Sequence, residues 1–140
     1  MRPLRLFALA ALVAALAACG DSPTAPSSGV FTQTDLVVGT GADATAGRNL
    51  TVHYTGWLWD PSKADAKGLQ FETSRTGQPL VFTLGAGQLI AGFDQGLVGM
   101  KVGGLRRLII PPSMAYSSNR NGPIPPNATL VFEIELLKVE

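Results

Sequence analysis

One histidine and one cysteine stand in 140 residues. A single cysteine cannot form an intramolecular disulfide, so the compartment has to be read from other features. His53 and Cys19 alone make no His/Cys cluster with the spacing of a zinc or transition-metal centre. His53 reads more readily as a strand histidine than as a ligand or base. Charge is sparse as well, at 15% of residues with a net charge of +1. That balance gives no electrostatic reason to expect nucleic acid, and Lys101, Arg106 and Arg107 read as a solvated face rather than a basic stripe. No G-x-S-x-G elbow is present to carry a serine nucleophile. Gly85-Ala86-Gly87 lies between a strand and a helix, but Ile90 stands where a dinucleotide loop needs its third glycine. Asp60, Asp65, Glu72 and Asp94 leave a glycosidase-type carboxylate pair open, and no spacing singles one out.

What the chain does have begins at its N-terminus. Arg2 and Arg5 precede LFALAALVAALAA, an apolar run of 13 residues. The run is shorter than the ~20 residues of a membrane-spanning helix and has the flanks of a secretory signal peptide. It ends Leu16-Ala17-Ala18-Cys19, which resembles the lipobox of bacterial lipoproteins. The resemblance implies cleavage after residue 18 and acylation of Cys19, a stable bilayer anchor. Residues 19–31 are rich in Ser, Pro, Thr and Gly and read as a flexible tether. The folded domain is expected over residues 32–140.

Within that domain, 16 glycines and 10 prolines favour turns, hence β structure. Strands are expected at Gln33–Val38, Asn49–Trp59, Phe71–Ser74, Leu80–Leu84, Leu105–Ile110 and Thr129–Val139. In the last of these, Leu130, Phe132, Ile134 and Leu136 face one way and Glu133 and Glu135 the other. Such alternation suits an antiparallel sheet packed on one face only. Asp60–Gln70, with Pro61, Gly68 and several charges, reads as a solvated loop. Leu89–Met100 is the one helical segment, its stripe of Ile90, Phe93 and Leu97 broken by Gly92, Gly96 and Gly99. Each glycine costs a helix about 1 kcal/mol relative to alanine, so their retention suggests close packing against the backbone. One sheet and one short helix make an α+β domain. Aromatics are spread through it (Tyr54, Phe71, Phe82, Phe93, Tyr116 and Phe132), and by composition alone they are core.

Six segments, taken together and in order, resemble the FKBP-type peptidyl-prolyl cis-trans isomerases. They are Val52-His53-Tyr54-Thr55-Gly56, Phe71-Glu72-Thr73-Ser74, Leu89 to Leu97, Met100 to Gly104, Ala115-Tyr116, and Ile124 to Glu133. The resemblance implies a twisted antiparallel sheet, a half-barrel, wrapped around one short helix. It implies catalysis of X–Pro rotation without a nucleophile, cofactor or metal. Tyr54, Phe71, Tyr116 and Phe132 would wall a proline pocket, with Glu72 at its side and Phe93 as floor. Leu80, Phe82, Leu89, Ile90 and Ile124 would contact or cover the substrate, the Leu89-Ile90 backbone receiving a substrate carbonyl. Phe93 stands where many members have tryptophan, Glu72 where aspartate is commoner, and Leu80 where an aromatic is frequent. The expected partners are Pro-containing exported proteins, and tacrolimus- or rapamycin-like ligands. The only membrane contact expected is through the acyl anchor, and the expected setting is a monomer in the bacterial cell envelope. A competing reading keeps the groove as a binding module that holds proline segments without turning them over.

Overall fold

The structure, a computed structural model, describes residues 30–140. The signal peptide, Cys19 and nearly all of the expected tether therefore lie outside the described residues. Six strands form one antiparallel sheet: β1 (Thr32–Val37), β2 (Asn49–Trp59), β3 (Lys67–Thr73), β4 (Leu80–Thr83), β5 (Leu105–Ile110) and β6 (Leu130–Val139). The helix α1 spans Ala91–Gly96, and a 3₁₀ turn covers Pro112–Met114.

The order across the sheet is β1-β5-β6-β2-β3. β4 also pairs with β2, on residues Asn49–Val52, while β3 takes Thr55–Trp59. β2 thus changes partner between Val52 and Thr55, and Tyr54 sits at that change. Strand β6 is paired along most of its length on both sides, with β2 and with β5. Alternation along these strands places Leu50, Val52, Leu108, Ile110, Leu130, Phe132, Ile134 and Leu136 on the inner face, all buried. At the end of β6 the register slips between Leu136 and Lys138, which shifts the alternation by one residue, so that Leu137 and Lys138 are both exposed and Val139 packs on the core.

α1 is half as long as the apolar stripe predicted. Gly99 adopts φ +79°, a left-handed conformation that ends the turn and sends Met100 back into the core. Gly92 and Gly96 serve a different purpose. A Cβ on Gly92 would fall 2.5 Å from the Ile110 Cδ1, and one on Gly96 2.7 Å from Leu108. The helix therefore lies with bare backbone against β5, as the retained glycines suggested.

The predicted loop Asp60–Gln70 is shorter than expected, because β3 already begins at Lys67. Its polar residues are strand residues on a solvent-facing pleat, opposite Trp57 and Trp59 of β2. The turn before it is closed by the Asp60 N–H donating to the Ala66 carbonyl at 2.9 Å, and by Ser62 N–H and Oγ donating to Asp60 Oδ1. Ala66 then caps a small second cluster on the outer face, with Ile109, Val131, Trp57 and Trp59. The sheet is consequently packed on both faces near this end, which corrects the expectation of one wet face.

Charges complete that outer face. Glu133 accepts hydrogen bonds from Lys67 Nζ at 2.8 Å and Arg107 Nη2 at 2.9 Å, and the Lys67 ammonium lies 4.4 Å from the Trp57 ring centre. Burial alone would raise the Glu133 carboxyl, but these two cations outweigh it and hold it below the usual carboxylate range. Arg106 departs from its expected place altogether. It is buried, on the inner face, where the same alternation that buries Leu108 carries it.

Candidate active site

Four aromatic rings meet where β6, β2, β3 and α1 converge. Phe132 is the hub: its ring centre lies 4.8 Å from that of Phe93 at 86°, 5.6 Å from Phe71 at 87°, and 6.2 Å from Tyr54. Tyr54 also meets Phe93 edge-on at 6.1 Å. Edge-to-face contact lets each ring present a positive edge to a negative face, and such pairs are worth about 0.5–1.5 kcal/mol beyond their buried area. The box needs Gly56. A Cβ there would approach Phe71 to 2.6 Å and Phe132 to 2.7 Å.

Above the rings opens a pocket of about 550 Å³, lined by Tyr54, Glu72, Leu80, Gln88, Leu89, Ile90, Ala91, Phe93, Ala115, Tyr116 and Phe132. Eight of the residues predicted from the sequence are thereby brought to one cavity: Tyr54, Glu72, Phe93, Tyr116, Phe132, Leu80, Leu89 and Ile90. Three are placed elsewhere. Phe71 meets Phe132 edge-on, Phe82 lies 6.4 Å from Phe93, and Ile124 is buried in the same core cluster as Phe93 and Phe132, outside the lining of the cavity. Gln88, Ala91 and Ala115 line the cavity without having been singled out. Small or polar residues in loops or at the first position of a helix carry no periodic signal that would have found them.

The pocket's chemistry follows from its lining. Glu72 is its only charged side chain. Burial first, and then the neighbouring Glu72 carboxylate, push the Tyr54 hydroxyl well above the ordinary phenol range. Burial likewise raises Tyr116, with an Asn121 hydrogen bond opposing it. Both phenols therefore stay protonated near neutrality, as hydrogen-bond donors in an apolar setting. Ile90, the N-cap of α1, is extended at φ −61°, ψ 150°, and its carbonyl accepts the Phe93 N–H at 3.0 Å. Its own N–H has no backbone acceptor among the described residues.

The loop before that N-cap is held by a residue the sequence left unassigned. Asp94 of α1 reaches back to accept the Gly85 N–H at 2.9 Å and the Gly87 N–H at 3.0 Å. The carboxylate thus serves the backbone, which removes it from any catalytic pair. On the far wall, Tyr116 rides on a loop tied down by Ser117 N–H donating to Pro112 O at 2.8 Å and Asn127 N–H donating to Ser117 O at 2.7 Å. Among the described residues no group of three or more His, Cys, Asp or Glu could hold a metal ion.

A cavity with fixed rings, two protonated phenols, an open backbone N–H and one carboxylate without a second acidic side chain in the lining is suited to holding a chain segment in a set conformation. Comparison with known proteins agrees. Residues 41–137 match the family model "FKBP-type peptidyl-prolyl cis-trans isomerase". The "FK506-binding protein" of Neisseria meningitidis serogroup B is 50% identical over 106 residues, covering 75% of this chain and 92% of that protein. "FK506-binding protein 1" of Aspergillus oryzae is 43% identical over 105 residues, covering 72% of this chain and 90% of its own length. Among solved structures, AtFKBP13 superposes with a TM-score of 0.67 at 35% identity, covering 79% of this chain and 93% of that one. FkpA from Escherichia coli superposes with a TM-score of 0.66 at 37% identity, covering 79% of this chain and 48% of that one.

Proposed function

Because the chain belongs to the FKBP-type peptidyl-prolyl cis-trans isomerases, we propose that its aromatic pocket turns over X–Pro bonds in exported proteins while an acylated Cys19 holds the domain at a membrane. The observation that carries the reading of the pocket is the convergence of Tyr54, Phe93, Tyr116 and Phe132 on one aromatic-walled cavity with a free backbone donor at its edge. An X–Pro bond rotates over a barrier of about 18–20 kcal/mol because twisting breaks amide resonance, and unaided rotation takes roughly tens to hundreds of seconds. The twisted amide is less dipolar than the planar one. A dry aromatic box therefore favours the twisted form over the ground state, which is the condition for acceleration. Each ~1.4 kcal/mol of that difference is a tenfold gain in rate.

In this reading Phe93 and Phe132 receive the proline ring, and the Ile90 N–H holds a carbonyl of the client chain. The Tyr54 and Tyr116 hydroxyls supply further donors. Phe71 and Phe82 act by fixing the rings they meet. Tacrolimus- or rapamycin-like molecules would compete for the same cavity, in line with the names of the relatives. The client is an unfolded or partly folded exported chain, and the working form is a monomer.

A proline-limited refolding assay with the full chain tests the activity. The slow phase of the client should shorten in proportion to the chain added, and a competing macrolide should abolish the effect. Unchanged refolding kinetics would overturn the pocket reading. Placement is tested separately: protein isolated from native membranes should carry acyl mass at Cys19, and an unmodified cysteine would overturn the anchor.

A further inference from the structure

Arg106 is the most heavily engaged side chain outside the pocket. Its side chain is only 7% exposed. Nε donates to Asp35 Oδ1 at 2.7 Å and Nη2 to Asp35 Oδ2 at 3.3 Å, a two-pronged pair. Nη1 donates to the Gly96 carbonyl at 2.8 Å and the Val98 carbonyl at 3.0 Å. Gly96 is the last residue of α1, and the last carbonyls of a helix have no partner within it. No basic residue of α1 itself caps this end. The cap arrives from β5, with its cation against the negative end of the helix.

The need for such a cap follows from how α1 meets the sheet. At Gly92 and Gly96 the helix presents bare backbone, and the Ile110 and Leu108 side chains fill the space a Cβ would take. Apolar packing of this kind sets the distance between two elements, and directional hydrogen bonds add a fixed orientation and axial setting. α1 has such bonds at both ends: Asp94 to the Gly85 and Gly87 amides at the start, and Arg106 at the finish. Between them lie the Ile90 amide and the Phe93 ring. Asp35, which orients the guanidinium, comes from β1, outside the matched residues 41–137.

We propose that Arg106, oriented by Asp35, is a positioning residue of the isomerase: it fixes the axial setting of α1 and thereby where Phe93 and the Ile90 N–H stand in the pocket. The inference rests on the reading of the pocket given above. A small misplacement far from the reacting bond can lower a rate by large factors.

The test compares the parent full chain with Arg106→Met, Arg106→Lys, Asp35→Asn and, as a control on the outer face, Glu133→Gln. Each is assayed for kcat/KM on a proline peptide well below its melting temperature and normalised to the folded fraction. Arg106→Met should lose about tenfold in kcat/KM per folded molecule. Arg106→Lys, which keeps the charge but has one nitrogen in place of the planar fork that reaches Asp35 and both carbonyls, should recover part of that loss, and Asp35→Asn should lose about threefold. The amide resonances of Ile90 and of residues 91–96 should shift in all three variants. Glu133→Gln should leave kcat/KM unchanged. Arg106→Met at parental activity per folded molecule, or resonance shifts confined to β1 and β5, would overturn the assignment. Should Arg106→Met fail to fold, unchanged activity and helix resonances in Arg106→Lys and Asp35→Asn would overturn it equally. An inactive parent would instead strike at the pocket reading itself.

Discussion

The two faces of the sheet are built from alternate residues of the same strands, yet they treat aromatic side chains in opposite ways. On the inner face Tyr54, Phe93 and Phe132 are braced by one another and left open to a cavity that holds one charged side chain. On the outer face Trp57 and Trp59 pack on Ile109 and Val131 beneath a network of Lys67, Glu133 and Arg107. Both are apolar clusters with a polar edge. What separates them is openness: Lys67, Glu133 and Arg107 close over the outer cluster as a network of ion pairs, whereas the inner polar groups, Tyr54 beside Glu72 and Tyr116 beside Asn121, line an open cavity. A closed edge adds stability. An open, aromatic-lined one leaves room for a ligand.

The sharpest way to break this contrast is Gly56→Ala. The added methyl would meet both Phe71 and Phe132, forcing the rings into or out of the cavity. kcat/KM in the peptide assay should fall by about two orders of magnitude, the scale expected when reacting groups are displaced by about 1 Å. Tyr116→Ala removes one wall without disturbing that packing. A loss of about tenfold, with the melting temperature within a few degrees of the parent, would mark Tyr116 as a group that acts on substrate. Equal rates for the variant and the parent would count against its place in the pocket.

The outer face should respond the other way. Glu133→Gln should lower stability by about 1 kcal/mol or less and leave activity intact. Its pH dependence has a definite sign. Because the folded carboxyl titrates below its ordinary value, the Glu133 contribution is present above that value and is lost as pH falls through the folded one. Parent and variant should therefore differ in urea midpoint at pH 7 and converge under acid conditions. The smallest effect belongs to the phenols. Tyr54 titrates above the ordinary phenol value, so its neutral form is favoured by folding. That contribution is complete below pH ~10 and declines only beyond it, so stability should be insensitive to this group from pH 6 to 9. Tyr54→Phe should flatten the alkaline decline seen in a thermal scan.

Much of the inner face was legible because period two and the six family segments point to the same residues. Leu130, Phe132, Ile134 and Leu136 are apolar at every second position, and burial on one face leaves that trace. The outer cluster was illegible for the complementary reason. Lys67, Gly68 and Gln70 look like loop, and only their pairing with Trp57 and Trp59 makes them strand. Arg106 was misread because a pair of arginines resembles a wet surface, although its parity with Leu108 and Ile110 carried the correct answer. Ile124 resembles a pocket cover in sequence, but apolar character cannot say whether a loop side chain points to a cavity or into the core. Helix length was overestimated because the apolar stripe continues to Leu97, already the C-cap of α1, and the left-handed Gly99 beyond it belongs to a turn that no change of hydrophobicity announces.

The change of partner along β2 has a bearing on the rim of the cavity. β4 leaves off at Val52 and β3 starts at Thr55, and the ladder is bridged between them by Ser74, whose N–H donates to the Tyr54 carbonyl at 2.9 Å and whose Oγ accepts the Tyr54 N–H at 2.8 Å. Glu72 of β3 and Leu80 of β4 stand on opposite sides of this junction, and both line the cavity. One edge of the cavity thus follows a seam that the strand pairing already contains, and its two sides belong to different strands. Residues 75–79, beyond Ser74, belong to neither ladder, so their length and charge can change while the pairing that holds Tyr54 stays as it is. The rim of the cavity and the cohesion of the sheet are in this way written on separate stretches of chain.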